Sequence, residues 1–253
     1  MSRVWRWCCC GEILERPLDR WFGRADGWLI AGVFAISLIA RLVFTTRFDG
    51  LYGQDAYAYY NYAQSMARGG DLAPFFWPLG YPALLASGFA LFGATALTAQ
   101  AINLLLGALI AGLVYLLARQ VGVGRSGALA AGLIAALCGQ AIQSSIVVMA
   151  DIPALAWALL SAVTLLEYLR ADRLRWLVFA ALLLALACVT RWLYLALVPA
   201  WGAAVLLTWK RPRWRHLLVA GAAAALVLLP QAAVSLHSPF PVLDHAWSRA
   251  GRR

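Results

Sequence analysis

The chain has 253 residues, of which 63% are apolar and only 13% carry a charge. Soluble domains are roughly 45–50% apolar and about 25% charged, so this composition excludes a water-soluble fold and predicts an all-α, polytopic bundle of membrane-spanning helices. The net charge of +10 does not indicate a nucleic-acid partner, because the basic residues stand in short clusters between apolar stretches, a pattern that sets membrane orientation.

Seven apolar stretches come close to the length of about 20 residues that crosses a hydrocarbon core. In chain order they are residues 27–46, 95–118, 126–148, 152–169, 176–190, 192–209 and 216–236. An eighth stretch, residues 79–93, would be only about 22 Å long as a helix, and three prolines crowd its start. We therefore predict about seven spans, with residues 79–93 lying against the membrane without crossing it.

The distribution of Lys and Arg predicts the orientation. If the N-terminus is cytoplasmic, fourteen of the 21 basic residues lie inside and six outside, as the positive-inside rule favours. We expect a multi-pass membrane protein with a cytoplasmic N-terminus and with polar residues collected on its outer face. It would comprise a cytoplasmic segment (1–26), a transmembrane domain (27–236) with an outer loop (47–94), and an outer tail (237–253).

The outer loop contains a Tyr-rich segment that predicts a helix from Asp55 to Arg68. In a helix, Asp55, Tyr59, Tyr62 and Met66 would share one face. Two interpretations stay open for this face: an aromatic anchor at the headgroup level and a lid over a lipid-linked substrate. Asp55 has two as well, a cap of the helix start and a general base.

Three further ionisable residues fall at or near the outer ends of spans. Asp151 has apolar sequence on both sides, which favours a functional residue or, with Pro153 in the first turn, a helix cap. Arg41 lies five residues before the end of the first span; it would either snorkel to the surface or pair with an outer acid or a phosphate. Arg191 lies at a tight outer turn and would suit an anionic ligand.

Several motifs together resemble a known family. They are Arg41, Gly53-Gln54-Asp55, Pro78-Leu79-Gly80-Tyr81-Pro82, Leu91-Phe92-Gly93, Gln100 to Asn103, Ser145 to Pro153 and Thr190-Arg191. The chain resembles the membrane glycosyltransferases of the GT-C class, in particular the bacterial family 39 group that is similar to protein O-mannosyltransferases and to the aminoarabinose transferases of lipid A. The resemblance covers most of residues 27–200.

The resemblance implies an inverting transfer of a hexosyl or pentosyl group, with the active face on the outside of the plasma (inner) membrane. The donor would be a polyprenyl-phosphate-linked sugar, and the acceptor a hydroxyl or phosphate of a lipid, glycan or protein. Asp55 matches the catalytic base, and Asp151 matches a second acid whose role can involve metal. No cofactor is assigned, and a divalent metal at Asp55 and Asp151 stays an alternative. The predicted substrate-binding residues are Tyr59, Tyr62, Asp151, Arg191 and Arg41.

Two departures from the family pattern leave other functions open. Ala56 stands where many relatives have a second acid, and family members are commonly much longer, so we expect a missing C-terminal half or a partner subunit. The alternatives are a transporter or flippase of a lipid-linked substrate and a truncated, non-catalytic membrane scaffold. Uptake without a covalent product would favour the transporter.

Overall fold

The structure is a computed structural model that describes residues 23–46, 48–70, 75, 77–208 and 214–237. That part of the chain contains ten α-helices, one 3-10 helix and no strand, so the predicted all-α bundle is confirmed. Most of the predicted cytoplasmic segment (1–22) and nearly all of the predicted outer tail (238–253) lie outside the described residues.

The helices follow one another with short connections. They are α1 (Arg24–Thr45), α2 (Gly53–Ala67), α3 (Gly80–Phe92), α4 (Ala96–Gln120), α5 (Arg125–Leu137), α6 (Gly139–Ile146), α7 (Asp151–Ala171), α8 (Leu174–Thr190), the 3-10 helix Trp192–Ala196, α9 (Leu197–Thr208) and α10 (Trp214–His237).

The number of spans is lower than the seven we predicted. Among the described residues, α1, α4, α7 and most of α10 have the length and hydropathy of a membrane span, and α5 with α6 would make a fifth. The difference arises because α8 and the segment Trp192–Leu207 are apolar but have fewer than 18 residues. The 13 residues of α3 reach only about 20 Å; that α3 does not cross remains a prediction.

The stretch predicted as a span over residues 126–148 is not one straight helix, because it is broken in the middle. The axes of α5 and α6 differ by 49°, and Cys138 between them has an extended backbone (φ −61°, ψ 115°). Gly139 follows, a residue with low helix propensity, and α6 is rich in Gln and Ser. Apolar composition alone did not reveal this break.

The centre of the bundle is α4. It packs against α1, α3, α5, α6 and α7, and small residues on its buried faces let these neighbours approach closely. A Cβ on Gly132 of α5 would lie 3.3 Å from the Ala111 carbonyl of α4. This close packing fixes the two ends of α4, and each end organises a polar cluster.

Candidate functional site

The Tyr-rich helix is confirmed as α2, and its predicted face is turned inward. Tyr59 is only 2% exposed, and its ring contacts those of Tyr81 (5.0 Å between centroids) and Phe75 (5.7 Å) edge-on. Tyr62 stacks on Phe75 at 4.2 Å. The predicted face is therefore part of an aromatic cluster within the protein, and the more exposed tyrosine of this helix is Tyr57, at 50%.

Asp151 and Arg191 form an ion pair at the junction of two helices. Asp151 is the first residue of α7, and Arg191 follows the last residue of α8 in an extended conformation. Arg191 Nη1 donates to Asp151 Oδ2 at 2.9 Å, and the two side chains are 37% and 43% exposed, respectively. We call this end of the bundle the site end. The pair is formed but half open, so a ligand can reach both charges.

The Tyr59 hydroxyl is influenced by the charges of this ion pair and of Asp55. Burial raises the pKa of the Tyr59 hydroxyl well above its usual value. The positive charge of Arg191 opposes that shift, while the carboxylates of Asp55 and Asp151 add to it. The charges of Asp55, Asp151 and Arg191 therefore all act on one hydroxyl group, although these residues come from three separate parts of the sequence.

Two amide side chains of α4 hold the loops that carry the site. Gln100 Nε2 donates to the carbonyls of Phe48 and Ile146, both at 2.9 Å. Asn103 Nδ2 donates to the carbonyls of Val147 (2.7 Å) and Met149 (2.9 Å). Gln100 and Asn103 are three residues apart and so lie on one face of the helix. They connect the segment before α2 to the segment before Asp151.

The Pro-Leu-Gly-Tyr-Pro motif explains how the end of α8 is placed. A Cβ on Gly80 would lie 2.6 Å from the Val189 carbonyl oxygen, so only glycine allows α3 to touch the backbone just before Arg191. Tyr81 Oη donates to Asn103 Oδ1 at 2.9 Å. The Leu79 N–H donates to Gln231 Oε1 of α10 at 2.8 Å. The motif thus joins α3, α4, α8 and α10.

An apolar groove of about 380 Å³ reaches Thr190 at the end of α8. It runs between α3, α8 and α10, and its lining includes Leu84, Val189, Thr190, Val227 and Pro230. Thr190 is the neighbour of Arg191 in the chain. The site end therefore has a partly exposed Arg191 side chain, and the residue before it lines an apolar groove.

Arg41 is separate from this arrangement. Its side chain is fully buried, so it does not snorkel, and its hydrogen bonds go to Ser37, Ala136 and Ser145. No described carboxylate lies within salt-bridge distance of it. The predicted pairing with an outer acid is therefore not seen for residues 23–237 where they are described.

The described residues do not supply a complete metal site. No three His, Cys, Asp or Glu side chains lie close together in the described part of the chain, and one oxygen of Asp151 already accepts from Arg191. Sequence reasoning did not assign functional roles to Gln100, Asn103 and Gln231. The sequence could have pointed to them, because a Gln or Asn side chain within an apolar stretch needs a buried hydrogen-bond partner.

The apolar helices and the polar cluster at their ends define a multi-pass membrane protein. Residues 66–236 match the family of dolichyl-phosphate-mannose-protein mannosyltransferases, and the chain belongs to that family. Its members are membrane glycosyltransferases of the GT-C type, which in general use a lipid-linked donor. No curated protein and no solved structure shows a significant match.

The family match confirms the resemblance seen in the sequence but covers only part of the predicted site. It contains Asp151 and Arg191, and it begins after Arg41, Asp55, Tyr59 and Tyr62. The roles of all these residues stay predictions.

Proposed function

We propose that the site end transfers a sugar from a polyprenyl-phosphate donor to an acceptor hydroxyl or phosphate at the outer face of the inner membrane. The observation that carries this proposal is the half-open Asp151–Arg191 ion pair next to an apolar groove. A lipid-linked sugar phosphate has the matching chemistry, since it joins a long apolar chain to an anionic group.

Arg191 is the proposed ligand of the donor phosphate. Its guanidinium presents several donors in a planar fork that fits phosphate oxygens, and it is exposed enough to be reached from outside. The donor chain would leave Arg191 past Thr190 and lie in the groove between α3 and α10. Asp151 would lose its partner when the phosphate binds and become available to the other substrate.

Asp55 is the proposed base. Its side chain is partly exposed in the first turn of α2, and its charge acts on the Tyr59 hydroxyl together with the charges of the ion pair. The acceptor oxygen would attack the anomeric carbon while Asp55 takes its proton, and the sugar–oxygen bond would break with its electrons passing to the leaving phosphate. Arg191 would then stabilise the charge that develops on that phosphate.

The opposite end of the bundle supports the proposed orientation. Arg119, Arg125, Arg170, Arg173 and Arg175 all lie where α4 and α7 end or where α5 and α8 begin. Basic residues concentrate on the cytoplasmic side of membrane proteins. The site end would then face outward.

Transfer by an Asp55→Asn variant tests the proposal. Purified protein would be reconstituted with a labelled polyprenyl-phosphate sugar and a membrane extract as the source of acceptors. We expect the label to reach a covalent product about a hundredfold more slowly than with the unsubstituted protein, the loss typical of a general base. Asp49→Asn is the matched control, because Asp49 is exposed in the same loop and its described bond is to the Leu51 N–H.

Three outcomes have distinct meanings. Transfer by Asp55→Asn at the rate of Asp49→Asn would reject the base assignment. Uptake of the labelled donor into vesicles by the unsubstituted protein, with no covalent product, would reject transfer and favour a transporter. Slow transfer by Asp55→Asn with normal transfer by Asp49→Asn supports the proposal.

A further inference from the structure

Arg41 is a charged side chain buried in the first span without a charged partner among the described residues. It is 0% exposed, and its Nη2 has no hydrogen-bond partner in the part of the chain that the structure describes. An ionisable group at membrane depth is costly and points to a function. Nothing in the proposed transfer uses it, so its role has to come from its own contacts.

The contacts of Arg41 lie on both sides of the break between α5 and α6. Nη1 donates to the carbonyl oxygen of Ala136 at 3.2 Å, and Nε donates to Ser145 Oγ at 3.0 Å. Ala136 belongs to the last turn of α5, where carbonyls have no partner within the helix. Ser145 belongs to the last turn of α6. One guanidinium therefore connects the end of α5 to the end of α6.

Gly107 of α4 makes room for this contact. A Cβ at that position would overlap Ser145 Oγ and would lie 2.8 Å from Arg41 Nε. A side chain there would push Arg41 and Ser145 apart. The approach therefore depends on three separate parts of the sequence, which argues against a chance contact of one long side chain.

The segment that follows Ser145 leads directly to Asp151. Hydrogen bonds hold it along its length, because the backbone carbonyls of Ile146, Val147 and Met149 accept from the side-chain amides of α4 described above. The Val148 N–H donates to the Gly50 carbonyl at 2.9 Å. Ser145 therefore anchors the start of a short segment, residues 146–150, that ends immediately before α7.

We propose that Arg41 is a positioning residue that fixes the break between α5 and α6 and thereby the segment 146–150, which leads directly to Asp151. Arg41 acts through Ser145 and does not touch substrate. The importance of this placement for transfer rests on the proposed function, whereas the placement itself is a property of the chain alone.

Hydrogen–deuterium exchange of the full chain in lipid nanodiscs tests the placement without any substrate. Arg41→Met removes the charge and the hydrogen bonds to Ala136 and Ser145, while it keeps much of the side-chain volume. We expect the amides of residues 146–150 to exchange at least tenfold faster, with the Val148 amide affected most clearly. Amides in the middle of α7 and α8 should be unchanged. A general loss of stability would raise exchange in those helices too.

Two milder variants keep the test valid if Arg41→Met fails to insert. Ser145→Ala removes the acceptor of Nε, and Gly107→Ala separates Arg41 from Ser145 without changing charge. Both should raise exchange in residues 146–150. Gly32→Ala is the matched control, since Gly32 is in the same helix as Arg41 and a Cβ there meets nothing within 4 Å.

Rescue by lysine gives a second readout. Arg41→Lys keeps the charge, but a single ammonium cannot reproduce the planar fork of Arg, so exchange in residues 146–150 should be intermediate between unsubstituted protein and Arg41→Met. Exchange equal to that of Gly32→Ala in Ser145→Ala and Gly107→Ala would overturn the proposal. So would an increase spread evenly over α7 and α8.

The proposed function and this inference fail separately. If residues 146–150 loosen in the variants but the unsubstituted protein transfers no sugar, the positioning role stands and the transfer proposal fails. If transfer occurs and the variants leave both exchange and transfer unchanged, the transfer proposal stands and the positioning role of Arg41 fails.

Discussion

Two aspartates at opposite ends of the bundle have opposite surroundings. Asp26, near the start of α1, is fully buried and accepts from the side chains of Tyr115, Arg119 and Arg125 and from the Gly23 N–H. Asp151 at the site end is 43% exposed, and its described hydrogen bond is to Arg191. The first carboxylate is saturated with donors, whereas the second has capacity left.

This difference separates a structural ion pair from a candidate ligand site. The Asp26 cluster ties α1 to α4 and α5, and each of its donors is used within the protein. The Asp151–Arg191 pair leaves part of both charges open to a ligand. Saturation and burial, rather than charge alone, therefore distinguish the two ends.

The largest expected effect is on stability at the Asp26 end. Asp26→Asn removes the buried carboxylate charge that pairs with Arg119, and breaking a buried pair in this way costs about 3–5 kcal/mol. Asp151→Asn breaks a half-exposed pair, which typically contributes about 0–1 kcal/mol. The free energies of unfolding would be measured by titration with sodium dodecyl sulfate in mixed micelles. Equal losses in the two variants would contradict the comparison.

An intermediate effect is expected on ligand binding at the site end. Arg191→Met should weaken binding of a polyprenyl phosphate at least tenfold, because the phosphate loses its counter-ion. Asp151→Asn should strengthen the same binding several-fold, because the phosphate no longer competes with an internal carboxylate. Quenching of intrinsic tryptophan fluorescence during titration with the lipid measures both.

Asp55→Asn is the control for this second experiment. It removes the same charge from the same end without breaking the contact to Arg191, so its effect on affinity should be smaller than that of Asp151→Asn. Weaker binding by Asp151→Asn would show instead that Asp151 holds Arg191 in its binding position. The proposal that Arg191 leaves Asp151 to bind the phosphate would then be wrong.

The smallest expected effect concerns pH and Tyr59. Its pKa is raised in the folded protein above the unfolded value of about 10, so the folded state favours the neutral phenol. That stabilisation is complete below about pH 10 and is lost as the pH rises toward the folded pKa. Tyr59→Phe keeps the ring and removes the titration. We would measure the free energy of unfolding between about pH 8 and pH 11. Above about pH 10 it should fall more steeply with pH for the unsubstituted protein than for Tyr59→Phe.

Much of the fold follows from the sequence because lipid contact requires apolar residues. The windows that predicted the spans of α1, α4 and α7 succeed for this reason, and the Tyr-rich period correctly predicted α2. The same reasoning did not predict the break at Cys138, because the break between α5 and α6 lies in an apolar stretch. It also overestimated the span number, because composition does not set where α8 and the following helix end.

The candidate site was only partly predictable, because charge shows up in a sequence and contacts do not. Asp151 and Arg191 were conspicuous as charges beside apolar stretches, and the structure brings them together. The surroundings of Arg41 were not accessible in this way. Its partners are Ser37, Ser145 and the carbonyl of Ala136 at the helix break, and none of these is distinctive in the sequence.

The amide of Gln100 has a consequence for motion. One nitrogen holds the carbonyls of Phe48 and Ile146 at once, and Val148 is bonded to Gly50 across the same junction. The two loops are therefore mechanically coupled, because a displacement of one strains the bonds that hold the other. A probe attached to α2 should then report events at Asp151, although nearly a hundred residues separate them in the chain.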